Sequence, residues 1–171
     1  MTNESFEPHA DELVANNAKF VESFDDGALT VIPRKHLAIV ACMDSRMNIF
    51  EMLGLAKGEA HIIRNAGGVV TDDVIRSLVL SQRRLGTREI VLIHHTNCGL
   101  EGVSVDEFKQ EIEREVGIRP WWALEAFLDP YDDVRQSMAR LHLSPFVPYK
   151  EHIRGFVYDV SDGLLHEVSG R

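Results

Sequence analysis

Leu37-Ala38-Ile39-Val40-Ala41-Cys42 is a short run of almost wholly apolar residues, and its reading decides the fold. A strand with one wet face alternates apolar and polar side chains. A strand that does not alternate is buried on both faces, the pattern of a parallel sheet covered by helices. Downstream, His61-Ile62-Ile63-Arg64 is a second strand candidate, closed by Asn65-Ala66-Gly67-Gly68. Glu89 through His95 is a third, with Ile90-Val91-Leu92-Ile93 as its centre. The segments between them carry helical signals. Arg46 to Leu55 reads as a short helix that ends near Gly58. Thr71 is placed to cap a helix whose first turn holds Asp72 and Asp73, whose apolar face is spaced by Val74, Leu78 and Leu85, and which Gly86 stops.

After the third strand, Ser104 or Asp106 opens an acidic helix that runs to Gly117. The region of Trp121-Trp122 and Pro130 is irregular, and Asp132 to Leu143 reads as a helix. Residues 154–160 alternate, turn at Asp162-Gly163 and return through Leu164 to Val168, a hairpin signal. Strand and helix in succession predict crossover connections and a parallel sheet. The expected architecture is a single α/β domain over residues 1–171, with a central, mainly parallel sheet flanked by helices and an antiparallel edge hairpin at the C-terminus. Upstream, Leu13, Val14, Ala18, Val21 and Phe24 form a rough helical stripe that Asp25-Asp26-Gly27 breaks, so residues 1–30 read as an N-terminal helical arm.

Composition narrows the function. The 171 residues are 44% hydrophobic and 26% charged, within the ordinary globular range. A formal net charge of −9 and no block of Lys and Arg argue against a nucleic-acid partner, so a small-molecule substrate is expected. Met1 to Ala10 is polar and acidic where a secretory leader needs a basic start and an apolar run. No apolar stretch approaches the roughly 18 residues of a membrane span. The expected location is cytoplasmic, where Cys42 and Cys98 remain thiols and point to metal binding or catalysis rather than a disulfide.

In open α/β sheets, ligands bind beyond the carboxyl ends of the strands. Two chemistry-bearing clusters fall at such ends: Cys42-Met43-Asp44-Ser45-Arg46 after the first strand and His95-Thr96-Asn97-Cys98-Gly99 after the third. Two thiolates and an imidazole form a soft donor set that suits zinc in tetrahedral geometry with one position left for water. Zinc brings the pKa of that water to about 7 and makes hydroxide available as a nucleophile. The plainer alternative is that each cysteine is a small core residue. Strand alternation sends His94 and His95 to opposite faces, so only one reaches the ion; the spacing to Cys98 favours His95, and His94 packs beneath a helix. The other histidines have no partner nearby and read as surface or core residues. Asp44 either takes the fourth zinc position or pairs with Arg46, whose guanidinium can hold it by two parallel hydrogen bonds. Gly67-Gly68 is either an anion-binding turn or a tight turn.

At these residues the sequence resembles the β-class carbonic anhydrases. Cys42-Met43-Asp44-Ser45-Arg46 matches that family's C-x-D-S-R motif, and His95-Thr96-Asn97-Cys98-Gly99 its H-x-x-C-G motif. Arg64-Asn65-Ala66-Gly67-Gly68 between them is similar to the family's R-N-A-G segment, and the short chain with Thr71 to Leu78 looks most like the small actinobacterial-type members. The resemblance implies zinc on Cys42, His95 and Cys98, with Asp44 and Arg46 as the catalytic dyad and Asp44 as fourth ligand in a closed state. It implies reversible hydration of carbon dioxide to bicarbonate, in a homodimer or tetramer whose N-terminal helix reaches across to a neighbour. Asn97 departs from the acid that many members carry there. Two other functions fit the same residues: hydrolysis of carbonyl sulfide or carbon disulfide on the same scaffold, and a non-enzymatic zinc-binding or nucleotide-sensing domain.

Overall fold

The computed structural model of the chain describes residues 6–170. The absence of a leader pattern in Met1 to Ala10 falls in part on residues 1–5, outside the described residues. The chain forms two compact units that divide between Thr30 and Val31. The first contains α1, Ala10–Val21, followed by a short 3-10 turn at Asp26–Ala28. None of the α1 residues is buried.

The second unit is built on five strands: β1 (Leu37–Cys42), β2 (Ala60–Asn65), β3 (Glu89–His95), β4 (Ile153–Tyr158) and β5 (Leu165–Val168). Their order across the sheet is β2-β1-β3-β4-β5. The first four are parallel, and β5 returns antiparallel to β4, as the C-terminal hairpin signal predicts. Four helices join them: α2 (Ile49–Leu53), α3 (Asp72–Leu85), α4 (Val105–Val116) and α5 (Pro130–Leu143). Thr71 and Ser104 cap α3 and α4 through their hydroxyls.

The non-alternating composition of β1 is explained by burial on both faces. Ala38 and Val40 join one core with Val74 and Leu78 of α3 and Val134, Met138 and Leu141 of α5. Ile39 and Ala41 join a second core on the other face with Met47, Ile49, Leu100 and Phe127. Among the described residues, no helix is long and apolar enough to cross a membrane.

Several boundaries differ from the sequence reading: α1 ends at Val21 rather than Phe24, β4 ends at Tyr158 rather than at residue 160, and two helices differ for a local reason. The helix expected over 46–55 is only α2, and it ends at Gly54 rather than near Gly58. The backbone N–H of Arg46 donates to the Asp44 carboxylate and that of Met47 to the Asp44 carbonyl, while Asn48 is extended. That turn removes residues 44–48 from any helix. In contrast, α5 starts two residues early, because Asp129 accepts from the N–H of Tyr131 and Pro130 occupies the first helical position, where a missing N–H costs nothing.

Gly155 sets how closely α5 approaches β4. A Cβ at this position would overlap the Val134 side chain and lie 3.0 Å from the Met138 sulfur. Replacing Gly155 with Ala should therefore destabilise the fold by about 1–3 kcal/mol. Urea unfolding measures this, and an unchanged midpoint would show that α5 can move aside freely.

Candidate metal centre

Parallel pairing of β1 with β3 sets their carboxyl ends side by side, with Ala41 opposite Ile93. Cys42 is the last residue of β1, His95 the last of β3, and Cys98 follows in the loop. Asn97 has φ of 54°, a left-handed conformation that asparagine tolerates better than most residues. The three side chains are buried, and their donor atoms lie within 4.8 Å of one another. The sulfurs are 4.0 Å apart. That is about twice a disulfide bond length. It is close to the roughly 3.8 Å spanned by two zinc–sulfur bonds of about 2.3 Å at a tetrahedral angle.

His95 is oriented by its own strand end. Nδ1 lies 2.9 Å from the Thr96 carbonyl, which can only accept, so Nδ1 carries the proton. Nε2 is left as a lone pair, fully buried and without a hydrogen-bond partner. Such an orphan costs on the order of 1–3 kcal/mol unless something takes the lone pair. A soft cation between the two sulfurs does so, and the carbonyl-anchored ring is the arrangement that fixes a histidine ligand. The donor chemistry therefore fits zinc, with one coordination position remaining.

The charges are arranged for a cation. The two thiols lie in contact, and that contact draws the Cys42 thiol well below its usual range despite burial. The same contact, reinforced by burial, pushes Cys98 up. Burial works against a charged His95 ring, but the nearby Cys42 sulfur, the Thr96 carbonyl and the Asp44 carboxylate outweigh it and raise its pKa.

Asp44 and Arg46 meet in the paired arrangement. Arg46 Nε donates to Oδ1 at 2.9 Å and Nη2 to Oδ2 at 2.7 Å. These bonds hold the Asp44 carboxyl well below the ordinary carboxylate range. Nη2 also reaches the Asn97 carbonyl at 3.0 Å, so one guanidinium ties both motif loops together. This contact uses the backbone of Asn97, and the Asn97 side chain takes no part in it. Oδ2 of Asp44 sits 3.7 Å from His95 Nε2, at the mouth of the three-residue cluster.

Arg64 had no assigned role in the sequence reading, and it has one here. Its Nε donates to the Cys42 carbonyl at 2.8 Å and its Nη2 to the Asp44 carbonyl. The available signal was its strand position, since Cys42 pairs with Asn65 and Arg64 is the residue before. Gly67-Gly68 forms a tight turn inside the 3-10 segment Ala66–Gly68. His94 is buried on the α5 face, as alternation predicts. The reading that the other histidines have no partner nearby needs correction, because His36 Nδ1 bonds the Gly86 carbonyl and His61 bonds the Ser81 hydroxyl and the Val31 carbonyl. His166 lies with Asp159 and Asp162, brought together across the hairpin turn. There Asp159 Oδ1 already accepts from Ser161 and Thr96, and Asp162 accepts from the N–H of Leu164.

Residues 37–140 match the model of the carbonic anhydrase family. The chain is 54% identical to beta-carbonic anhydrase 1 of Mycobacterium tuberculosis over 93% of its own length and 97% of that protein. It is 34% identical to a carbon disulfide hydrolase of Acidithiobacillus thiooxidans, covering 77% of this chain and 76% of the relative. The crystal structure of carbonic anhydrase from Streptococcus mutans superposes with a TM-score of 0.89 at 41% identity, covering 96% of this chain and 99% of that one. A buried two-cysteine, one-histidine cluster at adjacent parallel strand ends and relatives spanning nearly the whole chain lead to one assignment: the chain belongs to the β-carbonic anhydrase family.

Proposed function

We propose that the protein is a zinc-dependent carbonic anhydrase that interconverts carbon dioxide and bicarbonate, with Cys42, His95 and Cys98 as ligands and Asp44 and Arg46 as catalytic residues. The observation that carries this reading is the bare Nε2 of His95, buried beside two thiols with its other nitrogen committed to a carbonyl. When bound, zinc supplies Lewis acidity and lowers the pKa of water to about 7.

The remaining work falls to the chain. An ionised carboxylate offers about four lone-pair sites. Oδ1 of Asp44 receives two N–H groups from Arg46, whereas Oδ2 receives one. Oδ2 thus keeps a free site to accept a hydrogen bond from the reacting water and orient it. Arg46 holds that carboxylate ionised and fixed in direction. Leu100 and Phe127 belong to the same buried cluster as both cysteines and give an apolar wall suited to an uncharged, linear gas. The engagement of Asp44 by Arg46 leaves the fourth position open, which favours an enzyme over a closed structural site.

Carbon disulfide is the second substrate to consider, because it has the same linear shape and a 34% identical relative bears its name. The nearly full-length, 54% match favours carbon dioxide. The exposed apolar residues Leu13, Val14 and Val21 of α1 support a homodimer in which a second copy covers them. Two free thiols at the centre support a reducing, cytoplasmic location.

Asp44→Asn should keep its zinc and lower kcat/KM for carbon dioxide hydration by about 100-fold or more. Cys98→Ser should lose the metal and the activity together. Stopped-flow hydration with metal analysis reads both, alongside a carbon disulfide arm. Full activity in Asp44→Asn, or turnover of carbon disulfide alone, contradicts the reading. Light scattering should give a mass of at least twice the 19.3 kDa of one chain, and Val14→Asp should shift it toward the monomer. A wild-type monomer would refute the dimer.

A further inference from the structure

His94 precedes the proposed ligand His95 on β3 and points the other way. It is fully buried, so both ring nitrogens have lost water and each needs a partner. Nε2 lies 3.1 Å from the Gly68 carbonyl, which can only accept, so Nε2 donates. Nδ1 lies 3.1 Å from Oδ2 of Asp133, in the first turn of α5. Neither of these two atoms has a hydrogen-bond partner among the described residues, so the pair meets as an ion-pair contact. Asp133 itself is 8% exposed. With Nε2 committed to Gly68, Nδ1 faces Oδ2 alone, and that contact joins the two side chains as one unit.

That unit grips a residue of unusual placement. Gly68 has φ of +73°, and a Cβ on it would lie 2.8 Å from the Cys42 nitrogen and 3.0 Å from the Ile93 carbonyl oxygen. Its backbone is therefore wedged between the carboxyl ends of β1 and β3, which present Cys42 and His95. The same helix holds the turn again two residues on, where the N–H of Val70 donates to Ser137 Oγ.

We infer that Asp133 and His94 form a buried bracket that pins the Gly68 carbonyl and, through this wedge, fixes the spacing of the two ligand-bearing strand ends. The inference rests on the reading of Cys42, His95 and Cys98 as zinc ligands. Asp133 and His94 are positioning residues. Neither is among the proposed ligands, and the His94 ring also packs 5.8 Å from that of Phe127.

The test follows zinc loss from the full-length, zinc-loaded protein to a chromogenic chelator, for wild type, Asp133→Ala and Asp133→Asn. The side-chain amide introduced by Asp133→Asn still donates to Nδ1 while Nε2 stays on Gly68, so the bracket survives without the charge. An alanine leaves Nδ1 bare. Asp133→Ala should release zinc about tenfold faster or more, and Asp133→Asn should stay within about threefold of wild type. The visible spectrum of the cobalt-substituted protein should shift in Asp133→Ala alone. Wild-type release from a folded Asp133→Ala variant overturns the inference, and so does an Asp133→Asn variant that behaves like Asp133→Ala. If Asp133→Ala does not fold, Asp133→Asn and nitrogen NMR of histidine-labelled wild type decide: an unprotonated Nε2 on His94 overturns the bracket. A wild-type protein that binds no zinc refutes the ligand reading instead.

Discussion

The register of β1 against β3 is the constraint on which the rest of the structure depends. Cys42 and Cys98 are 56 residues apart in sequence, yet their sulfurs lie 4.0 Å apart. Parallel pairing of two fully buried strands brings them there. A slip of one residue would turn Cys42 or His95 to the opposite face, because side chains alternate along a strand. The apolar burial of β1 on both faces sets that register, so the same residues that build the core also build the site.

Around the three donor atoms lies a shell of backbone carbonyls held by charged side chains. Arg46 reaches the Asn97 carbonyl, and Arg64 reaches those of Cys42 and Asp44. Both guanidiniums therefore act on the positions of the motif loops as well as on local charge. Arg46 is exposed on one side, and a single exposed ion pair of this kind contributes little to stability. Its value lies in geometry: a planar fork fixes the carboxylate in direction, and a third contact fixes the neighbouring loop.

The strands that make the sheet were legible in detail. The expected bounds of the first and third strands, 37–42 and 89–95, match the observed ones, because an unbroken apolar run has no other stable home than a covered sheet. Strand ends pointed to the cluster of Cys42, His95 and Cys98 but left open that each cysteine was a small core residue, and the family resemblance chose between the two. What escaped the reading were contacts that no local pattern encodes. The helix expected over 46–55 lost its first turn to the Asp44 side chain, which competes for backbone N–H groups. Alternation told which way His94 points, but not that Asp133 meets it from a helix far along the chain. Arg64 looked like an ordinary strand-end charge until its carbonyl partners were in place. The start of α5 was also missed by two residues, although Asp129-Pro130, a cap followed by a first-position proline, carried the signal for it.

X-ray absorption at the zinc edge of the loaded protein tests the central claim most directly. The account predicts two sulfur scatterers at about 2.3 Å and nitrogen or oxygen at about 2.0–2.1 Å. A shell of nitrogen and oxygen alone in the wild type would mean that the thiols do not hold the ion, and would contradict it.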